Sequence, residues 1–487
     1  MSALVALLPC ATVVAAVLVF RMSILGAGAS ALGVALAIWL SSLFSPSEVG
    51  HLGRAAQDAL VLQLLVGVVI YSGLLFVEVS RRSGTLSAIL EVIASTGLNT
   101  TRLVILIAVG IGVTVESLTG YGVSLLITVP LLLRVVSRTR AIVAALIGMS
   151  LMPWGALSVA ALLGAELAGL TVPVLAQSYL TTSGPVAFLL PVLCAVVTGG
   201  NRAADWMFAL AAGAILVAGI GLTSSFIGVE VAGVVGGAVV ILLCLCSTSW
   251  TPALRKALRA RALWPYPILL GVIVVQKLGL HTLPFPGGPI TIATARVSFD
   301  VLASPALALI GASLLSIKLI PPEAGGYTER LLGNVSSRSW RALVSVLLFL
   351  LTARLLVESG AVAALAGLLS QLGPSLAGAT VAVLGGVGAY VTGSGVTSNA
   401  LFMPSAAETG ASLGLAPLFA ALQQSGGGHA AMASLPVIAL LIAALPSRED
   451  SDEPLAVKVG LGLAILWIIL VIASGQLQIA MASSAPG

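Results

Sequence analysis

Residues Thr119 to Ser124 read Thr-Gly-Tyr-Gly-Val-Ser, and a matching pattern returns 273 positions later, where Thr392 to Thr397 read Thr-Gly-Ser-Gly-Val-Thr. Both hexapeptides interrupt long stretches of a kind found in membranes, one with Glu116 as its single charge and the other uncharged. Glycines within such a stretch break a helix and expose its amide and carbonyl groups. In hydrocarbon, broken backbone is tolerated only where protein buries it or where it lines a cavity. We therefore expect the two breaks to meet around one site.

The composition indicates a membrane protein. Of 487 residues, 59% are hydrophobic and only 8% are charged, whereas a soluble protein has about 25% charged residues. We predict one integral, all-α, polytopic unit over residues 1–487, with about twelve spans plus re-entrant hairpins. We expect it to cross the plasma (inner) membrane many times. Simple spans are predicted near residues 3–20, 23–44, 59–79, 141–163, 172–198, 206–222, 231–247, 264–280, 302–320, 341–357 and 457–475.

Two segments do not fit a simple span. Leu103 to Leu133 contains 31 residues with Glu116 as its one charge, which as a single helix would be about 46 Å long, well over the ~30 Å hydrocarbon core. A span followed by a re-entrant arm fits this length, and the first break falls where the chain would turn. Ser359 to Ala407 has 49 residues without a charge and contains the second break. A small-residue or proline-interrupted helix follows each break, so we predict two repeats, at approximately 60–247 and 264–475, in accord with transporters built from paired repeats.

The basic residues lie in short loops between predicted spans. Clusters occur at Arg81 and Arg82, at 134–140 and at 255–261. Lys and Arg collect in cytoplasmic loops, and this places the N-terminus outside. The net charge of +5 is explained by these loops, so we predict no nucleic-acid partner and expect the chain to be in contact with membrane lipid.

Glu116 stands three residues before the first break and is a candidate proton-coupling residue. An ionisable group inside a span is a functional hypothesis by default, and a carboxylate removed from water can exchange a proton near neutral pH. The alternative is a structural role, in which its carboxylate caps the amides of the broken helix.

His429 is the second candidate for proton coupling. It follows three glycines in an otherwise uncharged stretch from Thr409 to Ser447. Histidine titrates at physiological pH and could relay a proton or pair with an anion. A neutral, hydrogen-bonded histidine inside a loop is the alternative.

Hydroxyl, amide and glycine residues around the breaks form the candidate substrate site. Exposed N–H groups at helix N-termini attract anions through their unsatisfied donors and the helix dipole, so a small carboxylate could be held without a buried cation. Tight helix packing is the alternative for the smaller residues. The candidate residues are Ser117, Thr119, Gly120, Tyr121, Gly122, Ser124, Thr392, Gly393, Ser394, Gly395, Thr397, Ser398, Asn399, Gln423, Gln424, Ser425 and Gly426.

Other polar residues are given structural roles. Arg354 and Glu358 are four apart on a helix, and we expect them to neutralise each other. Cys244 and Cys246 have no second cysteine pair and no nearby histidine, so we predict packing residues, no metal site and no cofactor.

Several stretches resemble the lactate permease family. Gly388 to Phe402 is similar to its late motif, a Thr-Gly-Ser followed by polar residues and Ser-Asn-x-Leu-Phe; Val115 to Gly122 resembles its early Ile-Glu-Gly-x-x-Gly-Phe-Gly. Ala144 to Leu157 is similar to the next helix, Phe226 to Glu230 to a Phe-x-Gly-Pro-Glu element, and Ser425 to Ser434 to the last signature. The resemblance extends from about residue 60 to 475.

The resemblance implies a proton-coupled importer of lactate, glycolate or another small 2-hydroxy monocarboxylate. It also implies kinship with the ion transporter superfamily, which has inverted repeats, re-entrant hairpins and, in some relatives, a dimeric scaffold; a homodimer is the assembly that this analogy suggests. The chain departs from the family pattern at Gly395, usually Asn or Asp, at Val396, usually Thr or Ser, and at Ala431, commonly Lys or Asn. These departures leave a different small organic anion as an alternative substrate.

Two other functions remain as alternatives, and a third, an enzyme, lacks support. Sodium coupling is the nearest one, since unwound carbonyls can hold Na⁺. Thr-Gly-Tyr-Gly resembles the filter of potassium channels, but such filters use four loops, and here the second copy has Ser in place of Tyr. An enzyme is not expected, because the sequence has no Ser/His/Asp arrangement and no H-E-x-x-H motif.

Overall fold

The computed structural model describes residues 2–120, 122–200, 202–282, 290–323, 326–327 and 330–484. These residues are almost entirely helical, and the prediction of an all-α polytopic membrane protein is confirmed. The one small sheet pairs β1 (Thr291–Ala293) with β2 (Ser298–Asp300) in antiparallel register, with Thr291 opposite Asp300.

The first half contains the helices up to α14. They are α1 (Ser2–Val5), α2 (Leu8–Val14), α3 (Ile24–Leu40), α4 (Val49–Arg82), α5 (Thr85–Ala94), α6 (Thr100–Ile105), α7 (Gly112–Thr119), α8 (Val123–Leu132), α9 (Arg138–Met149), α10 (Val159–Ala168), α11 (Val172–Thr198), α12 (Ala203–Phe226), α13 (Val229–Cys246) and α14 (Pro252–Leu258). A π-helical stretch, Leu106–Ile111, joins α6 to α7 without a break.

The second half contains the remaining helices. They are α15 (Pro265–Thr282), α16 (Pro305–Leu319), α17 (Leu331–Glu358), α18 (Ala361–Ser370), α19 (Gly373–Thr392), α20 (Gly395–Ser412), α21 (Ala416–Ala430), α22 (Leu435–Ala443) and α23 (Asp452–Ser484). A short 3-10 turn, Ala431–Ala433, separates α21 from α22.

Nine helical segments in the described part of the chain are long and apolar enough to cross a membrane. Four further predicted spans coincide with shorter apolar helices, Leu8–Leu18, Ile24–Leu40, Pro265–Leu280 and Pro305–Leu319. The sequence-based count of about twelve therefore corresponds to these nine together with some of the shorter helices.

The span predicted at 141–163 is interrupted. α9 ends at Met149 and α10 begins at Val159, and two 3-10 turns, Met152–Trp154 and Ala156–Ser158, lie between them. Pro153 has no amide to donate into a continuous helix. Leu157 and Ser158 both adopt positive φ, at 48° and 53°, which side-chain-bearing residues rarely do.

The loops with Arg81, Arg82 and Arg261 lie at the same end of the molecule, which we call the basic end. The Thr85 hydroxyl donates to the Ala262 carbonyl at 2.7 Å, and Arg82 donates to the Tyr327 carbonyl at 2.9 Å. These contacts hold the loops after α4, α14 and α16 together. Since positive residues favour the cytoplasm, we expect the basic end to face it.

The two halves share local geometry. Gly84 before α5 and Gly360 before α18 are both left-handed, with φ of 74° and 78°. A Cβ on Gly148 of α9 would lie 2.4 Å from the Ala108 carbonyl oxygen, and one on Gly426 of α21 would lie 2.3 Å from that of Ala382. In each half a helix thus touches the first helix of its broken pair without an intervening side chain, which favours the predicted two-repeat organisation.

The expected Arg354–Glu358 pair does not form. Arg354 instead pairs with Asp58 of α4 at 2.5 Å, and Glu358 pairs with Arg54 at 3.1 Å and with Arg296. Arg354 is 5% exposed and Asp58 3%. The prediction was wrong because partners on α4 and on the β-hairpin lie closer than the neighbour one helical turn away.

Candidate functional site

The first break separates α7 from α8 over three residues. The Gly120 amide donates to the Glu116 carbonyl at 2.8 Å, and the Thr119 hydroxyl donates to the Val115 carbonyl at 2.7 Å. Gly120 and Gly122 both have positive φ, 64° and 75°, which glycine adopts without steric cost. Tyr121 lies outside the described residues.

The second break repeats this geometry between α19 and α20. The Gly393 amide donates to the Ala389 carbonyl at 2.8 Å, the Thr392 hydroxyl donates to the Gly388 carbonyl at 2.7 Å, and Gly393 has φ of 73°. Ser394 caps α20, its hydroxyl accepting from the Thr397 amide at 3.4 Å. The sequence match thus corresponds to a match in backbone structure.

Glu116 performs for α8 the capping that Ser394 performs for α20. Its carboxylate accepts from the Gly122 amide at 3.1 Å, from the Ser124 hydroxyl at 2.8 Å and from the Ser124 amide at 3.4 Å. The side chain is buried, at 3% exposure. A carboxylate at a helix N-terminus is stabilised by the amide donors and by the helix dipole.

Residues from both breaks line one cavity of about 60 Å³, which we call the central cavity. Its lining is Glu116, Gly120, Met152, Gly155, Val159, Ala160, Gly393, Ser394, Gly395, Val396 and Gly428. The breaks therefore meet, as the sequence led us to expect. Among these lining residues Glu116 carries the one ionisable group.

Sequence reasoning missed the cavity wall between α9 and α10. Met152, Gly155, Val159 and Ala160 come from this interrupted span, and Pro153 packs directly against Gly428. The signal was present as Pro153 followed by Gly155: a proline-interrupted helix was predicted here, but its residues were not assigned to the site. Three chain breaks, rather than two, therefore border the cavity.

The predicted amide residues lie behind this lining and connect the two halves. Asn399 donates from Nδ2 to the Ala160 carbonyl at 2.8 Å and to Gln424 Oε1 at 2.5 Å, while Gln424 donates to the Pro153 carbonyl at 3.4 Å. Asn399 and Gln424 thus fix α20 and α21 against the interrupted α9–α10 span.

A second layer of predicted residues is also buried. Gln423 donates to the Ser398 hydroxyl at 3.1 Å, and that hydroxyl donates to the Gly385 carbonyl at 2.7 Å. The Ser425 and Thr182 hydroxyls are 2.6 Å apart. Ser117 packs against α13, where a Cβ on Gly233 would lie 2.3 Å from its hydroxyl oxygen. These side chains support the site without lining the central cavity.

His429 is fully buried and hydrogen-bonded at both ring nitrogens. Nδ1 lies 2.6 Å from the Ser150 carbonyl oxygen and Nε2 lies 2.8 Å from the Ser183 hydroxyl. A carbonyl can only accept, so Nδ1 carries a proton, and Nε2 of a neutral ring accepts from Ser183. The Ser183 hydroxyl in turn accepts from Trp154 Nε1 at 3.1 Å. His429 belongs to this network rather than to the lining of the central cavity.

A metal site is not evident among the described residues, where no three His, Cys, Asp or Glu side chains lie close enough to share an ion. Cys10, Cys194 and Cys244 are buried free thiols, and Cys246 is exposed.

Comparison with known proteins gives one family. The sequence profile described as L-lactate permease matches residues 2–254 and 239–479, two segments that together span nearly the whole chain. The chain belongs to the L-lactate permease family. Curated protein sequences gave no match.

Membership of the L-lactate permease family fits the apolar helices of a membrane protein and supports transport of lactate, a small organic anion. It also fits a protein that is not an enzyme. The two quoted motifs that carry the resemblance, around Glu116 and around Asn399, are those that build the central cavity and the wall behind it.

Proposed function

We propose that this L-lactate permease family member is a proton-coupled symporter of a small 2-hydroxy monocarboxylate, of the lactate or glycolate type, in the plasma membrane. The observation that carries the proposal is the central cavity, in which the N-terminus of α20 faces the Glu116 side of the first break. One wall offers donors for an anion, and the other offers a group that can hold a proton.

The α20 terminus is the proposed carboxylate site. The first amides of a helix have no partner within it, and among the described backbone hydrogen bonds none uses the amides of Gly395 or Val396. Both residues line the central cavity, beside Ser394. Amide donors and the helix dipole together favour a bound anion at such a terminus.

The contrast between the two breaks supports this assignment. At α8 the Glu116 carboxylate already occupies the helix terminus. Ala389 stands 273 positions after Glu116, at the matching place in the second half, and has no carboxyl group. The substrate would supply at α20 the carboxylate that the protein itself supplies at α8.

Coupling follows from the charge in the central cavity. An anionic substrate and an ionised Glu116 would repel each other strongly in surroundings of low dielectric constant. A proton on Glu116 removes that repulsion, so proton and anion each favour binding of the other, and by linkage the effect is reciprocal. The neutral pair would then cross together.

His429 is the second proposed proton-coupling residue. Protonation at Nε2 would reverse the direction of its hydrogen bond with Ser183, so that the ring donates and the hydroxyl accepts. The same hydroxyl accepts from Trp154, which lies in the interruption between α9 and α10. A protonation change at His429 would thereby reach the cavity wall.

Uptake into proteoliposomes tests the proposal. Vesicles with purified protein receive labelled lactate under an inward proton gradient or an inward sodium gradient, with the membrane voltage clamped. We expect accumulation above equilibrium with the proton gradient and none with sodium at equal pH. Accumulation driven by sodium alone would make the chain a sodium-coupled carrier, and conductance without accumulation would make it a channel.

A further inference from the structure

A second and larger cavity, of about 520 Å³, opens near the basic end; we call it the vestibule. It lies among α4, α5, α7, α8, α15, α17 and α22, and its wall includes Thr119 of the first break. Ser80 also lines it and is 5% exposed. Within the part of the chain that the structure describes, the Ser80 hydroxyl has no hydrogen-bond partner. A buried, unpartnered hydroxyl on a cavity wall indicates a place for a polar ligand.

A narrow void of about 10 Å³, which we call the constriction, lies between the vestibule and the central cavity. Thr119 lines both the vestibule and the constriction, and Val159 lines both the constriction and the central cavity. A void of roughly 10 to 15 Å³ by this measure holds one water. The constriction therefore lies between the vestibule and the central cavity and is too small for a carboxylate.

Apolar side chains form the constriction. Its lining is Val69, Ile70, Gly73, Leu118, Thr119, Leu157, Val159 and Leu309. Leu157 has the left-handed backbone described above, and residues in such conformations cluster where structures switch. Small displacement of α10 or of the Leu157 turn would widen the passage.

The wall of the vestibule carries excess positive charge. Arg81 and Arg338 line it. Both pair with the Glu78 carboxylate, at 2.7 Å and 3.6 Å, and Arg82 pairs with the same carboxylate at 3.0 Å. Three guanidinium groups thus face one carboxylate. The Arg81 and Arg338 side chains are 60% and 57% exposed, so anions in solution can reach them. Clefts lined by one sign of charge concentrate ions of the other sign.

The opposite end of the molecule has a separate cavity of about 380 Å³. Glu166, Glu230, Lys277 and Asp300 give it an acidic lining, and among the described residues none lines both it and the central cavity. Among the described residues, shared lining residues thus link the central cavity, by way of the constriction, with the vestibule and not with this acidic cavity.

We propose that the vestibule is an anion-collecting chamber for the transported carboxylate at the cytoplasmic end, with Arg81 and Arg338 drawing the substrate in and the apolar constriction acting as the gate to the central cavity. This inference rests on the proposed function for the identity of the anion. The charge of the chamber and its path to the breaks stand on the geometry alone.

Thiol labelling from the basic end tests the vestibule. Val77 lines it, so Val77→Cys is placed in a Cys246→Ser background, and inside-out vesicles are treated with matched anionic and cationic methanethiosulfonate reagents. We expect the anionic reagent to react faster, lactate to slow its reaction, and Arg338→Gln to lower its rate on the order of threefold. Ser80→Cys, a nearly isosteric change, is the second reporter.

Matched controls separate the vestibule from general surface effects. Leu75→Cys lies on the same helix outside the lining and should show neither preference nor protection. Arg255→Gln removes an exposed charge at the same end and should leave the rate at Val77→Cys unchanged. The inference is overturned if neither reporter prefers the anionic reagent, if Arg338→Gln has no effect, or if anionic phospholipid rather than lactate gives the protection.

Transport is measured in the same vesicles. Wild-type vesicles that carry no monocarboxylate would contradict the proposed function, whatever the labelling shows. Wild-type transport together with reporters that prefer neither reagent would contradict the vestibule alone.

Discussion

The Glu116 carboxylate accepts a hydrogen bond from the Ser124 hydroxyl at 2.8 Å, so that one carboxyl group joins the two helices on either side of the first break. Glu116 is also one of the residues that line the central cavity. Capping and proton exchange, which the sequence left as alternatives, are therefore compatible in one residue.

Glu116→Gln should abolish accumulation driven by a proton gradient and leave exchange of substrate across the membrane. The carboxamide keeps one oxygen to accept from Gly122 or Ser124, but it cannot gain or lose the coupling proton. Gradient-driven uptake and counterflow in proteoliposomes measure the two activities. Glu408→Gln, at an exposed position on α20, is the control; unchanged pH-driven uptake by Glu116→Gln would count against the mechanism.

Asn399→Ala should weaken substrate binding and lower stability together. It leaves the Ala160 carbonyl and Gln424 Oε1 without their donor, and an unsatisfied buried polar group costs about 1–3 kcal/mol. Thermal unfolding with and without lactate checks both effects, because a ligand that binds the folded state raises the melting temperature. Wild-type affinity in this variant would contradict the assigned role.

Gly395→Ala should narrow the range of substrates. A Cβ there would lie 3.7 Å from the Ala160 Cβ and 3.8 Å from the Gly428 Cα, which is ordinary contact, so the fold is retained while the central cavity shrinks. We expect uptake of lactate to fall roughly tenfold or more relative to the smaller glycolate, the discrimination typical of one methyl group. Competition assays measure the ratio of lactate to glycolate uptake, and Gly462→Ala serves as the control. An unaltered ratio would show that the cavity wall at Gly395 does not contact the substrate.

Gly426→Ala and Gly148→Ala should each destabilise the protein by about 1–3 kcal/mol, the usual cost of overpacking. The added methyl group would meet backbone carbonyl oxygen, which cannot rotate away. Gly367→Ala, where nothing lies within 4 Å of the new atom, should be neutral or slightly stabilising. Melting temperatures of the three variants give the comparison, and equal values would show that the close helix contacts tolerate a side chain.

Arg354→Met should cost about 3–5 kcal/mol, because it leaves Asp58 as a buried charge without its partner. The double change Asp58→Leu with Arg354→Met removes both charges and should recover much of that loss. Unfolding of the purified variants measures the difference. A double variant no more stable than the single one would show that the pair is not an isolated unit, since Thr294 also donates to Asp58 at 2.5 Å.

Helix breaks that depend on the local sequence could be predicted. The 31-residue stretch from Leu103 to Leu133 was too long for one span, and the structure breaks it at Thr119, where the glycines stand. A proline-interrupted helix was predicted at Pro153, but its place in the cavity wall was not, because proline within a membrane helix often only bends it. Its contribution to the cavity depends on contacts with α21 that spacing does not reveal.

The ion-pair and hydrogen-bond partners of buried polar residues were the least predictable feature. Arg354 could have paired along its own helix, yet Asp58, 296 positions away, is its partner. The neighbours of His429 likewise come from other helices, at Ser150 and Ser183. Sequence showed that these ionisable groups lie in apolar surroundings, but which groups meet them is decided by helix packing.

The close main-chain contacts of Gly148 with Ala108 and of Gly426 with Ala382 have a mechanical consequence. Helices separated by side chains can slide as rotamers change, whereas helices in direct main-chain contact are locked in register. We therefore expect each broken hairpin and its companion helix to shift together as one unit, and the solute to be delivered by displacement of such units against the long helices α4 and α17, which pack on each other.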